Sequence, residues 1–112
     1  MVQALRSNEV VSVTAGAWEG SDLAEGPLCG GRLSLAIGAP RLAALTGAAL
    51  LPVFSVRDSA RGYRTVIEAP IELAGARSDG GSEAAAEFLR RHGSWIRGFP
   101  DQWRGWKELR RA

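Results

Sequence analysis

The sequence predicts an α/β fold, a small, mostly parallel or mixed sheet with flanking helices. Three stretches carry that expectation. Residues 9–14 (EVVSVT) are rich in β-branched residues, with Val10, Val11 and Val13 among them, and read as a strand covered on both faces, as in a parallel sheet with helices on either side. Residues 62–69 alternate, with Tyr63, Thr65 and Ile67 on one face and Arg64, Val66 and Glu68 on the other, the period of a half-exposed strand. Residues 83–97 set Ala85, Phe88, Leu89, His92 and Ile96 along one helical face. Strands alternating with helices place the chain in the α/β class, and 112 residues make one domain at most.

In chain order, Met1–Asn8 reads as the last turns of a helix, and residues 9–14 as the buried strand that follows. Ala15–Gly31 reads as a loop holding Trp18, Glu19, Asp22 and Glu25, of a length that is often functional inside a compact domain. Pro40 near the start and Gly47 near the end bracket a short helix, from which Leu42 and Leu45 are expected to turn inward. Ala48–Val56 (AALLPVFSV) reads as another buried strand; Pro52 lacks a donor, so an edge or a bulge is expected there. Asp58–Gly62 is a turn, and residues 62–69 pair back as a hairpin. After a flexible connection at 74–82, Ser82 is a candidate N-cap for the helix over 83–97, which Gly98 and Pro100 stop. Asp101 can cap a last helix over 102–111, with Trp103, Trp106 and Leu109 on one side and Arg104, Lys107, Arg110 and Arg111 on the other.

The formal net charge of +2 hides an asymmetry: residues 90–112 hold seven Lys/Arg and two acidic residues, a local +5, which leaves −3 on the other 89. A basic tail with Trp95, Trp103 and Trp106 among its cations suits an anionic lipid surface, with the rings at headgroup depth and Arg104 and Lys107 meeting lipid charge. The same tryptophans also fit plain packing of the last helices onto the sheet. Nucleic acid is not expected as a partner, because the rest of the surface is acidic rather than basic. Residues 42–56 carry no charge, but 15 residues fall short of the roughly 20 that a spanning helix needs. Met1–Ala15 has no basic start followed by an apolar block, so no signal peptide is expected.

Chemistry-bearing residues are sparse. Cys29 is the only cysteine and His92 the only histidine, too few for an internal disulfide or a metal set. His92 falls on the apolar face of its helix, which fits a packing role better than that of a general base. Neither Ser12 nor Ser34 stands in a nucleophile elbow, and the Gly pairs at 30–31 and 80–81 lack the Lys-Ser/Thr of a phosphate loop. No catalytic residue, metal ligand or cofactor is therefore assigned.

Several segments, in order, resemble the second half of the lipid A biosynthesis (lauroyl/myristoyl) acyltransferases and the related lysophospholipid acyltransferases. They are Gly30-Gly31-Arg32, Gly38-Ala39-Pro40-Arg41-Leu42-Ala43, Thr46-Gly47-Ala48 leading to Leu51-Pro52-Val53-Phe54, Tyr63 with Pro70-Ile71-Glu72, and Phe99-Pro100-Asp101-Gln102-Trp103 with Trp106-Lys107. The resemblance implies the C-terminal half of a glycerolipid-acyltransferase-like domain, residues 1–112 forming a single partial domain with a basic, Trp-rich helical tail at 83–112. It implies transfer of a fatty acyl chain from acyl carrier protein or coenzyme A to a lipid hydroxyl, at the cytoplasmic face of the inner membrane. It also implies a missing N-terminal half or a partner chain, because the family's His-x-x-x-x-Asp/Glu dyad, in which the histidine takes the hydroxyl proton, is absent from these residues. Ala15-Gly16-Ala17 stands where relatives often carry an acidic residue. Arg32 and Arg41 are the candidate contacts to an anionic acyl carrier or lipid phosphate. The alternative is a non-catalytic module that binds a membrane or a partner.

Overall fold

A computed structural model describes residues 2–13, 23–36, 38–60, 62–73, 81–103 and 105–111. Helix α1 spans Val2–Arg6 and α2 spans Gly38–Thr46, while the long helix α3 runs over Ser82–Gly98. The strands are β1 (Leu23–Leu28), β2 (Gly31–Ala36), β3 (Val53–Ser59), β4 (Gly62–Ile67) and the short β5 (Arg110–Arg111). They form two sheets, one ordered β1-β2-β5 and one a β3-β4 hairpin. The α/β class holds, but every pairing among the described residues is antiparallel, not the mostly parallel or mixed sheet expected.

Strand β1 lies where a loop was expected, and β5 where the last helix was expected. β1 and β2 are joined by Cys29 (φ 49°) and Gly30 (φ 81°), two successive left-handed residues, which is the backbone twist that suits a two-residue hairpin. Leu28, Leu33 and Leu35 point from this sheet into the core and meet Ala85, Leu89 and Ile96 of α3. Gly26 is needed at the contact: a Cβ there would lie 2.7 Å from Leu89 Cδ1. Residues 14–22, with Trp18, Glu19 and Asp22, lie outside the described residues.

Residues 9–13 form no strand. Val10 is 96% exposed. A run of β-branched residues forms a strand only where a neighbouring strand pairs with it, and none of the described strands does so here. Helix α2 is as expected, ending at Gly47 with φ 76°, although Leu45 faces solvent rather than the core.

The second sheet is the predicted antiparallel hairpin, but its first strand covers Val53–Ser59 rather than 48–56 and is buried on one face only. β3 starts after Pro52, whose side chain is buried, and the irregularity falls between Arg57 and Ser59 rather than at the proline. Tyr63, Thr65 and Ile67 face outward with Val53 and Ser55, and the Ser55 and Thr65 hydroxyls bond at 2.8 Å. Phe54 and Val56 are buried on the inner face.

Beyond α3 the predicted last helix is broken into two 3₁₀ turns, Pro100–Gln102 and Gly105–Glu108, followed by β5. Gly105 sits flush on the Trp103 indole, where a Cβ would come within 2.5 Å of the ring. The chain therefore folds back on its own tryptophan, and β5 pairs with the start of β2 (Arg32 with Arg110, Gly31 with Arg111).

Candidate functional site

Helix α3 carries two neighbouring stripes, not the single apolar face read from its spacing. Ala85, Leu89 and Ile96 serve the β1-β2 sheet, while Phe88, His92 and Trp95, one position out of step, receive Phe54 from β3. Phe54 stacks on Phe88 (centroids 5.6 Å, 17°) and Trp95 (5.5 Å, 21°) and lies 5.6 Å from His92. Trp103 meets His92 edge-on at 5.8 Å, Trp106 meets Trp103 at 4.8 Å, and Phe99 stacks on Trp95 at 6.2 Å. These separations and angles are those that aromatic quadrupoles favour.

The C-terminal turns are locked onto this array by polar contacts. The Gln102 carboxamide accepts the Arg57 N–H at 2.7 Å and donates to the Arg57 carbonyl at 2.9 Å, the exchange a neighbouring antiparallel strand would make. The Trp106 indole donates to the Pro100 carbonyl at 2.8 Å. At the other rim the Trp95 indole donates to Glu68 at 2.8 Å, and the Arg64 guanidinium lies 5.6 Å from the Trp95 ring. Arg91 joins the two parts: it bonds Glu87 (2.7 Å) and the Ala69 carbonyl (2.5 Å) and lies 3.8 Å from Glu68. Hydrogen bonds from Arg90 and then Arg91 hold the Glu87 carboxyl below its usual range.

Behind this rim an open groove of about 810 Å³ runs along α3. Leu28, Ile71, Ala86 and Leu89 line it with apolar surface, and Glu87, Arg90, Arg91 and Arg97 line it with charge.

The predicted site residues part company here. Trp95, Trp103 and Trp106 come together in the aromatic array: Trp95 and Trp103 are half-buried, and Trp106 is 44% exposed. Arg104 and the side chain of Lys107 lie outside the described residues. Arg32 pairs with Glu25 across the β1-β2 sheet (2.6 Å), and Arg41 is exposed on α2, a different element. No helix among the described residues is long and apolar enough to cross a membrane. No protein-family model and no curated protein matches the chain. The pairings of Glu68, Arg91 and Gln102 escaped the sequence reading; the residue types were visible, but their partners lie up to 45 residues away.

His92 is a packing residue in this geometry. Its ring lies against Phe54, Phe88 and Trp103, and no carboxylate among the described residues bonds it, so it has no acid to orient it as a base. Burial pushes the imidazole below its ordinary value. The unfolded chain therefore binds the His92 proton first as pH falls, and stability declines from an unfolded value of about 6.5 down to the lower folded value. Thermal unfolding between about pH 7.5 and 5.5 is expected to show this slope, at most about 1.4 kcal/mol per pH unit for one proton, and His92→Phe is expected to flatten it. A slope unchanged in the variant would assign the effect to other groups.

Proposed function

We propose that this chain is the C-terminal part of a membrane-associated acyltransferase of the lipid A or lysophospholipid type, peripheral at the cytoplasmic face. One observation supports this reading most directly: two separated segments that carry the resemblance act as one physical unit. Phe54 of Leu-Pro-Val-Phe is the centre of the aromatic array, and Gln102 of Pro-Asp-Gln-Trp clamps the same strand at Arg57. On this reading the segment is a rigid buttress. The acyl donor is acyl carrier protein or acyl-coenzyme A and the acceptor is a membrane lipid. The base that takes the hydroxyl proton comes from a His-acid pair outside these 112 residues, because His92 is held among aromatic rings instead.

The test has two arms. The purified 112-residue chain is expected to show no acyl transfer with acyl-coenzyme A and a lysophospholipid or lipid A precursor. Material captured from native membranes with an antibody against residues 82–112 is expected to show it. Turnover by the pure chain overturns the claim that the base lies elsewhere. Absence of transfer in the captured membrane material removes the acyltransferase reading and leaves a non-catalytic module, whose binding to anionic vesicles should weaken with salt and with Trp106→Ala.

A further inference from the structure

The two edges of the β3-β4 hairpin are not alike. The Glu68 N–H donates to the Pro52 carbonyl at 2.9 Å, so the even-numbered residues of β3 face β4 with their main-chain groups. The odd-numbered ones, Val53, Ser55 and Arg57, and Tyr63, Thr65 and Ile67 across from them, turn theirs outward. On the β3 edge the Arg57 slot is already filled by Gln102. A strand approaching there meets that side chain after two free residues. On the β4 edge no described residue bonds the outward groups of Tyr63, Thr65 or Ile67. There is no Lys or Pro between Gly62 and Ile67, the irregularity of the hairpin lies on β3, and the one charged side chain of the strand, Arg64, is paired with Asp58 of its own hairpin. Its outward side chains include Tyr63 at 76% exposed and Ile67 at 65%.

We propose that β4 pairs with β4 of a second copy of this chain, antiparallel, about a twofold axis through Thr65. The strand is self-complementary in that register. Tyr63 falls opposite Ile67 of the second copy, Thr65 opposite its counterpart, and Ile67 opposite Tyr63. All three are the residues with outward main-chain groups, so each rung exchanges a pair of hydrogen bonds. Each aromatic ring then covers a β-branched side chain, a favourable cross-strand pair. On the opposite face Arg64 lies one diagonal step from Glu68 of the second copy, which is already engaged by its own Trp95 and Arg91, so the pairing rests on the three outward rungs. The two Arg64 residues also approach diagonally, but each is already held by Asp58 at 3.5 Å and lies over its own Trp95. The result is a four-stranded sheet, β3-β4-β4-β3, whose outer edges are each occupied at Arg57 by a Gln102 clamp. Six residues of strand extend only about 20 Å, and so short a seam buries less than the roughly 1,200 Å² of a stable complex. The pairing is therefore weak and concentration-dependent.

The experiment uses the full chain with Cys29→Ser. Sedimentation over a concentration series is expected to approach twice the 11.9 kDa chain mass and to stop there. Thr65→Cys is expected to give a disulfide-linked dimer under mild oxidation, since rung partners on the axis fall within bridging distance; Ser55→Cys is expected not to. Ile67→Lys, on an exposed position, is expected to weaken self-association at least tenfold while keeping the circular dichroism of the parent. Hydrogen exchange on the unaltered fold provides an independent check: Tyr63, Thr65 and Ile67 amides should gain protection as concentration rises, and those of Val53 and Ser55 should not. A chain that stays monomeric at the highest concentration, assembles beyond two copies, or cross-links through Ser55→Cys in place of Thr65→Cys overturns the proposal.

Discussion

Replacing Phe54 by alanine is expected to lower the unfolding free energy by about 3–5 kcal/mol, the range for removing a large buried aromatic side chain. The ring is 8% exposed and has three aromatic neighbours within 5.6 Å. Its loss leaves Phe88, His92 and Trp95 without their shared partner and frees the hairpin from α3 at its main apolar contact. Domains of this size have about 5–15 kcal/mol in total, so the variant should be near the limit of folding. Urea titration followed by tryptophan fluorescence measures the effect directly, because three of the four tryptophans, Trp95, Trp103 and Trp106, belong to the array. A midpoint shift equivalent to less than about 1 kcal/mol would mean that polar contacts, those of Gln102 and of Trp95 with Glu68, hold the hairpin by themselves.

The array explains why the tryptophans read ambiguously from sequence. Aromatic residues among arginines suit a lipid interface and suit packing equally well, and spacing alone does not separate the two. The fold adds a packing contribution, in which indole N–H groups and neighbouring cations have intramolecular partners, while Trp106 keeps an exposed face. Trp95 donates to Glu68, Trp106 donates to the Pro100 carbonyl, and Arg91 and Arg64 are engaged around them. None of these partners shares a period with its tryptophan.

Legibility followed the range of the forces. The β3-β4 hairpin and α3 were readable because alternation and helical spacing act within each segment, and α2 because Pro40 and Gly47 mark its ends locally. The β1-β2 hairpin was not. β1 contains Gly26 and Pro27, both poor strand formers, and exists because Leu28 and the close approach at Gly26 fit against α3. Residues 9–13 failed in the opposite sense, having strand composition without a neighbouring strand to cover it. The last segment failed for a third reason, since Gly105 lets the chain close onto Trp103 and that contact overrides the helical spacing of Trp103, Trp106 and Leu109.

Leu89→Ala is expected to cost about 2–5 kcal/mol, with the upper half of that range the better guide. Leu89 is 1% exposed and lies among Leu28, Leu33, Leu35, Ala85 and Ile96, where the β1-β2 sheet meets α3. The backbone on both sides is regular strand and helix, which limits how far the walls can collapse into the space left behind. Leu89→Met, which conserves volume, should cost less than about 1.5 kcal/mol. The contact with Gly26 gives a sharper test. Gly26→Ala alone should destabilise by about 1–3 kcal/mol through overpacking, because the new Cβ would lie 2.7 Å from Leu89 Cδ1 and the buried Leu89 side chain must shift to admit it. In the Leu89→Ala background that methyl enters the vacated volume, so the double variant should be more stable than Leu89→Ala alone. The coupling between the two sites should then be at least about 1 kcal/mol in the favourable direction, well beyond the 0.3–0.5 kcal/mol scatter of independent sites. Urea midpoints of the four chains in this cycle measure it. Strict additivity would mean that Leu89 can turn aside without cost, and that glycine at position 26 is there for the strand's backbone rather than for the helix packed on it.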